Sequence, residues 1–286
     1  MITVSLQVRP AVPQDQHQIA NLMFFESHVH RHLDWRAPLE WLGFPCYWVV
    51  EEAGRILAVL ACPQDPPGVA WVRLFAHAKQ LPLDDAWDIL WQAAQKEIEK
   101  QGGATVGLIV MHHWLKDLLT KNDFTHTQNI VMLEWKGKRI PEASFPAGIA
   151  VRKIQPDDLP QVAELDAAAF KPLWQNTLDA LEKALPQATS AIVAEDAQGL
   201  VGYQISTANP FGAHLARLAV RPDAQKQGLG SLIVADLLHR LKKKGVARLT
   251  VNTQSDNLAS LALYSKVGFV VTGEKFPVYC YQISPS

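Results

Sequence analysis

Apolar residues recur along this chain with two alternating periods, one typical of strands and one typical of helices. In the second half, the runs 190–196 (SAIVAED) and 199–206 (GLVGYQIS) flank the turn AQG, which predicts a β-hairpin, and AHLARLAV predicts the next strand. Ile233, Leu237 and Leu241 then recur at intervals of four, which predicts an amphipathic helix. Strands that alternate with helices predict an α/β fold built on a sheet.

The same pattern occurs twice. Three segments recur with offsets of 143, 144 and 145 residues: VRPAVPQDQHQIANLMFF from Val8 with VRKIQPDDLPQVAELDAAAF from Val151, WVRLFAHAK from Trp71 with LARLAVRPD from Leu215, and LKDLLTKNDF ending at Phe124 with SLALYSKVGF ending at Phe269. An offset that stays nearly constant over the whole length indicates a tandem duplication.

A linker separates the two copies. The segment KGKRIPEASFPAG, residues 136–148, carries two prolines, two glycines and a cluster of charges, and each proline disrupts regular structure around it. We therefore predict a first domain over residues 1–135, the linker over 136–148 and a second domain over 149–286.

Composition and charge exclude several classes of protein. Hydrophobic residues make up 48% and charged residues 19% of the chain, which is typical of a globular protein. The 27 Lys and Arg nearly cancel the 28 Asp and Glu, so no broad basic face is expected and nucleic acid is not a predicted partner. No segment reaches the apolar length of a membrane span. The three cysteines lack metal-ligand spacing and are interpreted as reduced thiols in the cytoplasm.

A glycine-containing turn follows the strand HLARLAV. It runs through QKQGLGS, residues 225–231, into the helix that carries Ile233. Such a turn presents free N–H groups and the positive end of the helix dipole to an anion, and glycines allow a phosphate to approach closely. A P-loop would need Lys and Ser or Thr after Gly230, and a dinucleotide fingerprint would need a third glycine at Ile233. The turn therefore predicts a phosphate carrier that is neither an NTP nor NAD.

The order of these motifs resembles the GNAT family of acyl-CoA-dependent N-acetyltransferases. The strand LARLAV, the turn Gln-x-x-Gly-x-Gly, the amphipathic helix, the strand ARLTVNT and the segment DNLASLALYSKVGF follow one another as in that family. The resemblance is strong over the second copy and weaker over the first. It implies two tandem GNAT-like domains, each a mixed, twisted β-sheet flanked by helices, with a splayed central strand pair in the second.

The resemblance also implies an acetyl-CoA site in the second copy. The pantetheine arm would pair with Leu218, Ala219 and Val220. The pyrophosphate would lie on the turn residues Gln225, Lys226, Gln227, Gly228, Leu229, Gly230 and Ser231. Asn257 would hold the pantetheine, and Tyr264 would protonate the departing CoA thiolate. The alternatives are that Asn257 is only an N-terminal helix residue and that Tyr264 is only a core aromatic residue.

The group that accepts the proton of the amine stays open. Some family members carry a Glu five residues before the Asn, but this chain has Asn252 there, which cannot act as a base. The candidates are His214, Asp166, Glu164 and a chain of water molecules.

The first copy lacks the residues that the resemblance assigns to the cofactor. Its counterpart of the turn, KQLPLDDAWDILW, contains no glycine, and Asp84 and Asp85 at the helix start would repel a pyrophosphate. By the offset of 145, His112 replaces Asn257 and Leu119 replaces Tyr264. We predict that this copy neither binds CoA in the usual way nor catalyses.

Histidines of the first copy raise the question of a metal site. Residues 28–32 read HVHRH, and if this segment ends a helix, histidines spaced by two point to different faces. No cysteine or carboxylate cluster joins these histidines or the pair His112 and His113. A metal is therefore not predicted.

The leading hypothesis is an acetyl-CoA-dependent N-acetyltransferase that acts on a primary amine. The alternatives are a non-catalytic acyl-CoA-binding module that regulates a partner, and a transferase that uses a longer acyl-CoA. A protein N-terminus, a lysine side chain, an amino acid, a polyamine and an antibiotic amine are all compatible acceptors. A monomer and a homodimer are equally compatible with the sequence.

Overall fold

The computed structural model describes residues 6–136 and 139–286. The chain divides into two compact units, one formed by the described residues up to Thr127 together with Pro277–Ser286, and the other by Gln128–Phe276. Within the predicted linker 136–148, Gly137 and Lys138 lie outside the described residues, and 139–148 contain no helix or strand.

Unit 1 contains a five-stranded sheet and a second, smaller group of strands. The elements that begin in it are β1 (Gln7–Pro10), α1 (Gln16–Phe25), β2 (Val29–Arg31), β3 (Tyr47–Glu52), β4 (Arg55–Ala61), β5 (Val69–Trp71), β6 (Leu74–His77), α2 (Leu83–Lys100), β7 (Ala104–Ile109), α3 (His113–Lys121) and β8 (Thr125–Lys136). The order in the five-stranded sheet is β1-β3-β4-β6-β2, and β5 pairs in parallel with β7.

Unit 2 has a similar order of elements. They are β9 (Ala150–Lys153), α4 (Leu159–Ala169), α5 (Leu178–Gln187), β10 (Ser190–Asp196), β11 (Gly199–Asn209), β12 (Gly212–Val220), α6 (Leu229–Lys243), β13 (Arg248–Gln254), α7 (Leu258–Val267) and β14 (Val270–Ile283). A helix, α5, stands where unit 1 has β2, and β5 has no counterpart among the described residues. Its strands lie in the order β8-β13-β12-β11-β10-β9. The pair β12 and β13 is parallel, and the other pairs are antiparallel. The hairpin predicted over 190–206 is present as β10 and β11.

A repeated ion-pair cluster supports the duplication at the level of side chains. In unit 1, Arg9 on β1 bonds to Asp15 and Glu51. In unit 2, Arg152 on β9 bonds to the carboxylates at the corresponding positions, Asp158 and Glu195. Both arginines hold the first strand of a unit against the turn before its first helix and against the neighbouring strand. An arginine forms such bidentate contacts because its guanidinium matches a carboxylate in shape.

Each unit takes one strand segment from the other sequence copy. The end of β14 pairs with β7, with Tyr279 opposite Leu108, and Tyr279 and Ile283 belong to the core of unit 1. Residues 130–136 of β8 pair with β13, and Leu133 and Trp135 belong to a core of unit 2. The sheet of unit 2 therefore includes a strand that the sequence assigns to the first copy.

The segment HVHRH forms a strand instead of ending a helix. Its residues Val29–Arg31 make up β2, which lies antiparallel to β6, with Val29 opposite Ala76 and Arg31 opposite Leu74. By the offset of 144, Leu74, Phe75 and Ala76 correspond to Leu218, Ala219 and Val220. In unit 1 a strand of the chain itself thus covers the edge that corresponds to the predicted pantetheine edge.

In the part of the chain that the structure describes, no helix combines the length and the apolar character that crossing a bilayer requires.

The exchange of strand segments predicts where a substitution in the first copy acts. Trp135 is 2% exposed, so Trp135→Ala should lower the free energy of unfolding by about 3–5 kcal/mol because it leaves a cavity. Hydrogen exchange should quicken in β13 and stay unchanged in β3. Phe25, which is 80% exposed, is the control, and Phe25→Ala should change stability by less than about 0.5 kcal/mol. Faster exchange in β3 alone would contradict the assignment of Trp135 to unit 2.

Candidate active site

Strands β12 and β13 pair over a short stretch and then separate. Their parallel pairing covers Ala213, His214 and Leu215, which lie opposite residues 249–251, whereas both strands continue further. On its other side β12 stays paired with β11 as far as Val220. Residues 218–220 thus form a strand edge on the side toward β13 that no strand covers among the described residues. Backbone groups of such an edge are free to bond to an extended ligand.

A β-bulge lies at the point where the two strands separate. Ile205 pairs with Arg217 and Ser206 pairs with Leu215, so Ala216 is the extra residue. A bulge bends the strand and increases its local twist. This bend directs residues 218–220 away from β13.

The turn between β12 and α6 exposes a row of backbone donors. From Lys226 to Ser231, none of the six N–H groups donates a hydrogen bond to another described residue. The first of these N–H groups belong to a turn in which Lys226 has a φ of 62°, and the last belong to the first turn of α6. Adjacent N–H groups at a helix N-terminus form a site for an anion.

The two glycines of the turn have different roles. Gly228 is the N-cap of α6 with a φ of 87°, and a Cβ built on it would meet no atom within 4 Å. Gly228 therefore provides a left-handed conformation and leaves open space above the turn. A Cβ on Gly230 would lie 2.7 Å from Cδ1 of Leu263, so Gly230 allows α6 to approach α7.

Asn257 lies at the start of α7, and Tyr264 lies further along the same helix. Asn257 is the N-cap, and its Oδ1 accepts a hydrogen bond from the Ser260 N–H at 3.1 Å, which leaves its amide Nδ2 to donate elsewhere. The ring of Tyr264 is buried against Phe269, and its Oη, which bonds to no described residue, keeps contact with solvent. Burial raises the pKa of Tyr264 above its ordinary value. The phenol is therefore protonated and available as a donor at neutral pH.

Asp166 is unavailable as a base because its oxygens are fully occupied. It is completely buried, and its carboxylate accepts hydrogen bonds from Arg217 and Tyr203 and from the backbone N–H of Asn176. Neither periodicity nor motif spacing predicts this cluster. Its one local signal is a charged residue, Arg217, inside the apolar strand LARLAV.

The other two side-chain candidates for the base are His214 and Glu164. His214 bonds through Nδ1 to the Thr250 hydroxyl at 2.9 Å, in the part of β12 that is still paired. Leu218 lies four positions further along the strand, which corresponds to about 13 Å. Burial lowers the pKa of His214, so its ring is neutral at neutral pH. Glu164 is exposed on α4, whereas Asp166 of the same helix points into the core.

The corresponding region of unit 1 has a covered strand edge and an acidic helix start. Helix α2 begins after Pro82 with Asp84 and Asp85 exposed in its first turn. His112 is the N-cap of α3 without a side-chain capping bond, and Leu119 is completely buried. Within the described ranges, no group of three or more His, Cys, Asp or Glu side chains could hold a metal.

Comparison with known families connects this geometry to an enzyme family. Residues 159–269 match the model of the acetyltransferase (GNAT) family, and this segment contains the open edge, the turn and α7. The resemblance on which the sequence analysis relied is therefore confirmed for this part of the chain.

Curated GNAT relatives match parts of the chain. Over 57 residues, which are 20% of this chain and 38% of the relative, it is 44% identical to the [ribosomal protein bS18]-alanine N-acetyltransferase of Escherichia coli strain K12. Over 156 residues, which are 48% of this chain and 49% of the relative, it is 31% identical to the mycothiol acetyltransferase of Saccharomonospora viridis. The matches thus span at most about half the length of these relatives.

Solved structures match over nearly the whole chain. A tandem GNAT protein from the clavulanic acid biosynthesis pathway superposes with a TM-score of 0.64 at 17% identity, covering 99% of this chain and 100% of its own. An N-acetyltransferase from Sphaerobacter thermophilus superposes with a TM-score of 0.61 at 16% identity, covering 98% and 96%. These likenesses concern the fold alone, and they confirm the predicted α/β fold with two GNAT-like domains.

The burial of Tyr264 predicts how it titrates. The folded protein binds the phenolic proton more tightly than the unfolded chain, so Tyr264 should form no tyrosinate near pH about 10, the ordinary pKa of the group. The free energy of unfolding should fall as the pH rises above that value, because only the unfolded chain then ionises. Tyrosinate difference absorbance of the native protein and of Tyr264→Phe measures this. A tyrosinate signal at pH about 10 that disappears in the variant would contradict the burial.

Proposed function

We propose that the protein is an acetyl-CoA-dependent N-acetyltransferase whose reaction takes place in unit 2. The observation that carries this proposal is the adjacency of an uncovered strand edge at Leu218–Val220 and six unpartnered N–H groups that begin at Lys226. A pantetheine arm is extended and carries amides that pair with a strand edge, and a pyrophosphate matches the row of donors. The GNAT match over residues 159–269 supports the same assignment.

The cofactor is bound mainly by backbone groups in this proposal. Leu218, Ala219 and Val220 pair with the pantetheine, and the turn from Gln225 to Ser231 binds the pyrophosphate. Lys226 is exposed and adds a cation. Nδ2 of Asn257 donates to a pantetheine carbonyl, a role that its capping bond through Oδ1 leaves open.

The transfer step is a direct attack of a neutral primary amine on the thioester carbonyl carbon. Backbone N–H groups near Leu218–Val220 stabilise the negative oxygen of the tetrahedral intermediate. The C–S bond then breaks, and Tyr264 donates its proton to the CoA thiolate. The amine proton leaves to water, since Asp166 is occupied, His214 lies in the paired part of β12 and Glu164 is exposed to solvent. Water also returns a proton to the tyrosinate.

We also propose that unit 1 carries no acyl-CoA. Strand β2 covers the edge at Leu74–Ala76, and the first turn of α2 carries two exposed carboxylates, whereas the first turn of α6 carries none. A strand already paired with β6 leaves no backbone groups there for a pantetheine arm, and the carboxylates repel phosphate.

Gly228 offers a test of the phosphate site with a matched control. Gly228→Val should reduce acetyl-CoA affinity at least about 100-fold, because the new side chain fills the space above the donor row and strains a positive φ. Gly245 lies beyond the other end of α6, also with a positive φ and open space at its Cβ. Gly245→Val should therefore strain the backbone similarly but leave affinity within about twofold. Equilibrium dialysis measures both, and equal losses would contradict the assignment of the turn.

Tyr264 offers a test of the acid. Tyr264→Phe keeps the buried ring and removes the hydroxyl, so kcat should fall about 100-fold while acetyl-CoA affinity stays within about twofold. Acetyl transfer to an alanine-led peptide, spermidine and lysine is the measurement. Tyr279→Phe, which deletes a hydroxyl from a buried ring of unit 1, is the control and should leave kcat unchanged. An unchanged kcat in Tyr264→Phe would remove the residue from the proton transfer.

A further inference from the structure

Arg217 lies at the point where the chemistry proposed for unit 2 begins. It follows the bulge residue Ala216 and immediately precedes Leu218, the first residue of the uncovered edge. Its side chain is only 13% exposed. An arginine in a strand interior needs partners for its five donors, because an unpaired buried cation is strongly unfavourable.

The first partner of Arg217 is Asp166 on α4. Nε of Arg217 donates to Oδ2 of Asp166 at 2.6 Å, and one Nη donates to Oδ1 at 2.7 Å. Tyr203 on β11 donates to the same carboxylate, as does the backbone N–H of Asn176 at 2.7 Å. This bidentate contact between the guanidinium and the carboxylate fixes the guanidinium plane in one orientation.

The second set of partners belongs to the segment between α4 and α5. An Nη of Arg217 donates to the backbone oxygen of Trp174 at 2.6 Å, and the guanidinium lies 3.5 Å from the centre of the Phe170 ring. Together with the bond from Asn176 to Asp166, these contacts attach residues 170–176 to β12 at the bulge. A lysine could not make all of these contacts, because an ammonium group is not planar and cannot both bind a carboxylate through two N–H groups and stack on a ring.

The third neighbour is Tyr264 on α7. The charge of Arg217 lowers the pKa of Tyr264, in opposition to the burial that raises it. Arg217 is thus electrostatically coupled to the proposed acid and in direct contact with the segment 170–176.

Unit 1 contains an arginine at the corresponding position. Arg73 lies 144 residues before Arg217, is buried, forms an ion pair with Asp34 at 2.8 Å, and lies 4.9 Å from the Trp41 ring. A buried arginine paired with an aspartate and stacked on an aromatic ring is therefore common to both units. Only Arg217 adjoins an uncovered strand edge, and this difference makes Arg73 a matched control for the structural part of the role.

We propose that Arg217 is a positioning residue for acyl transfer, holding residues 170–176 and the open edge of β12 in the relative geometry that the reacting amine requires. Arg217 does not touch the thioester in this account. It acts through Trp174, Phe170 and the strand that it shares with Leu218. This inference rests on the function proposed above.

The experiment compares Arg217→Lys, Phe170→Leu and Arg73→Lys in the full chain. Acetyl transfer to the alanine-led peptide, spermidine and lysine gives kcat and KM, and calorimetric titration with acetyl-CoA gives affinity. Arg217→Lys should lower kcat about tenfold or more and raise the amine KM, because small misplacements of reacting groups are costly. Its acetyl-CoA affinity should stay within about twofold of the native value. Arg73→Lys should leave kcat within about twofold.

Phe170→Leu keeps the inference testable if Arg217→Lys does not fold. It removes the ring under the guanidinium and leaves the ion pair with Asp166, so kcat should fall about threefold to tenfold. A native kcat in folded Arg217→Lys, or in Phe170→Leu if the former does not fold, would overturn the inference. So would a loss of acetyl-CoA affinity in step with kcat, or an equal loss of kcat in Arg73→Lys. If the native protein acetylates no amine, the proposed function fails and the inference fails with it.

Discussion

The backbone of a strand edge must find hydrogen-bond partners, and the two halves of this chain meet that requirement in different ways. In unit 1 the edge at Leu74–Ala76 pairs with β2, a strand of the same chain. In unit 2 no strand among the described residues covers the corresponding edge at Leu218–Val220, where the Val220 oxygen accepts a hydrogen bond from the Gln225 side chain at 2.9 Å. An uncovered strand edge promotes pairing with other chains and aggregation unless something occupies it. The proposed function follows from this difference, because an extended acyl carrier is a suitable occupant of such an edge.

The anion site next to that edge depends on backbone donors more than on side-chain charge. Six consecutive N–H groups lack partners among the residues that the structure describes, and Gly228 leaves the space above them open. The helix that follows ends with Gly245 in the left-handed region and the Val246 N–H bonded to the Leu241 oxygen. Fixed donors of this kind need no reorganisation when an anion binds. The same position in unit 1 has Asp84 and Asp85, so loss of the glycines and gain of carboxylates accompany the closed edge.

Local patterns in the sequence were sufficient to predict the elements around the site. The hairpin over 190–206, helix α6 and the turn that begins at Gln225 all follow from periodicity and from glycine positions within a few residues. The segment HVHRH was less predictable, since three residues with no strong apolar pattern become a strand only because β6 offers a free edge. Tertiary pairing here overrides a weak local preference.

Long-range features could not be predicted from either copy alone. The exchange of β8 and β14 segments leaves the hydrophobic pattern of each strand unchanged, so Trp135 has the same local signal whichever core it enters. The cluster of Asp166, Tyr203 and Arg217 joins residues from a helix and two strands, and only the polar residue inside the apolar strand hints at it. Both features depend on contacts between residues far apart in the chain, which periodicity does not encode.

The most direct test of the central claim is a calorimetric titration of the full chain with acetyl-CoA that determines stoichiometry. The account predicts one site per chain, because β2 closes the edge in unit 1 and the edge in unit 2 is open. Two sites per chain would contradict the role given to β2, and the absence of binding would contradict the assignment of the open edge and the turn to an acyl-CoA.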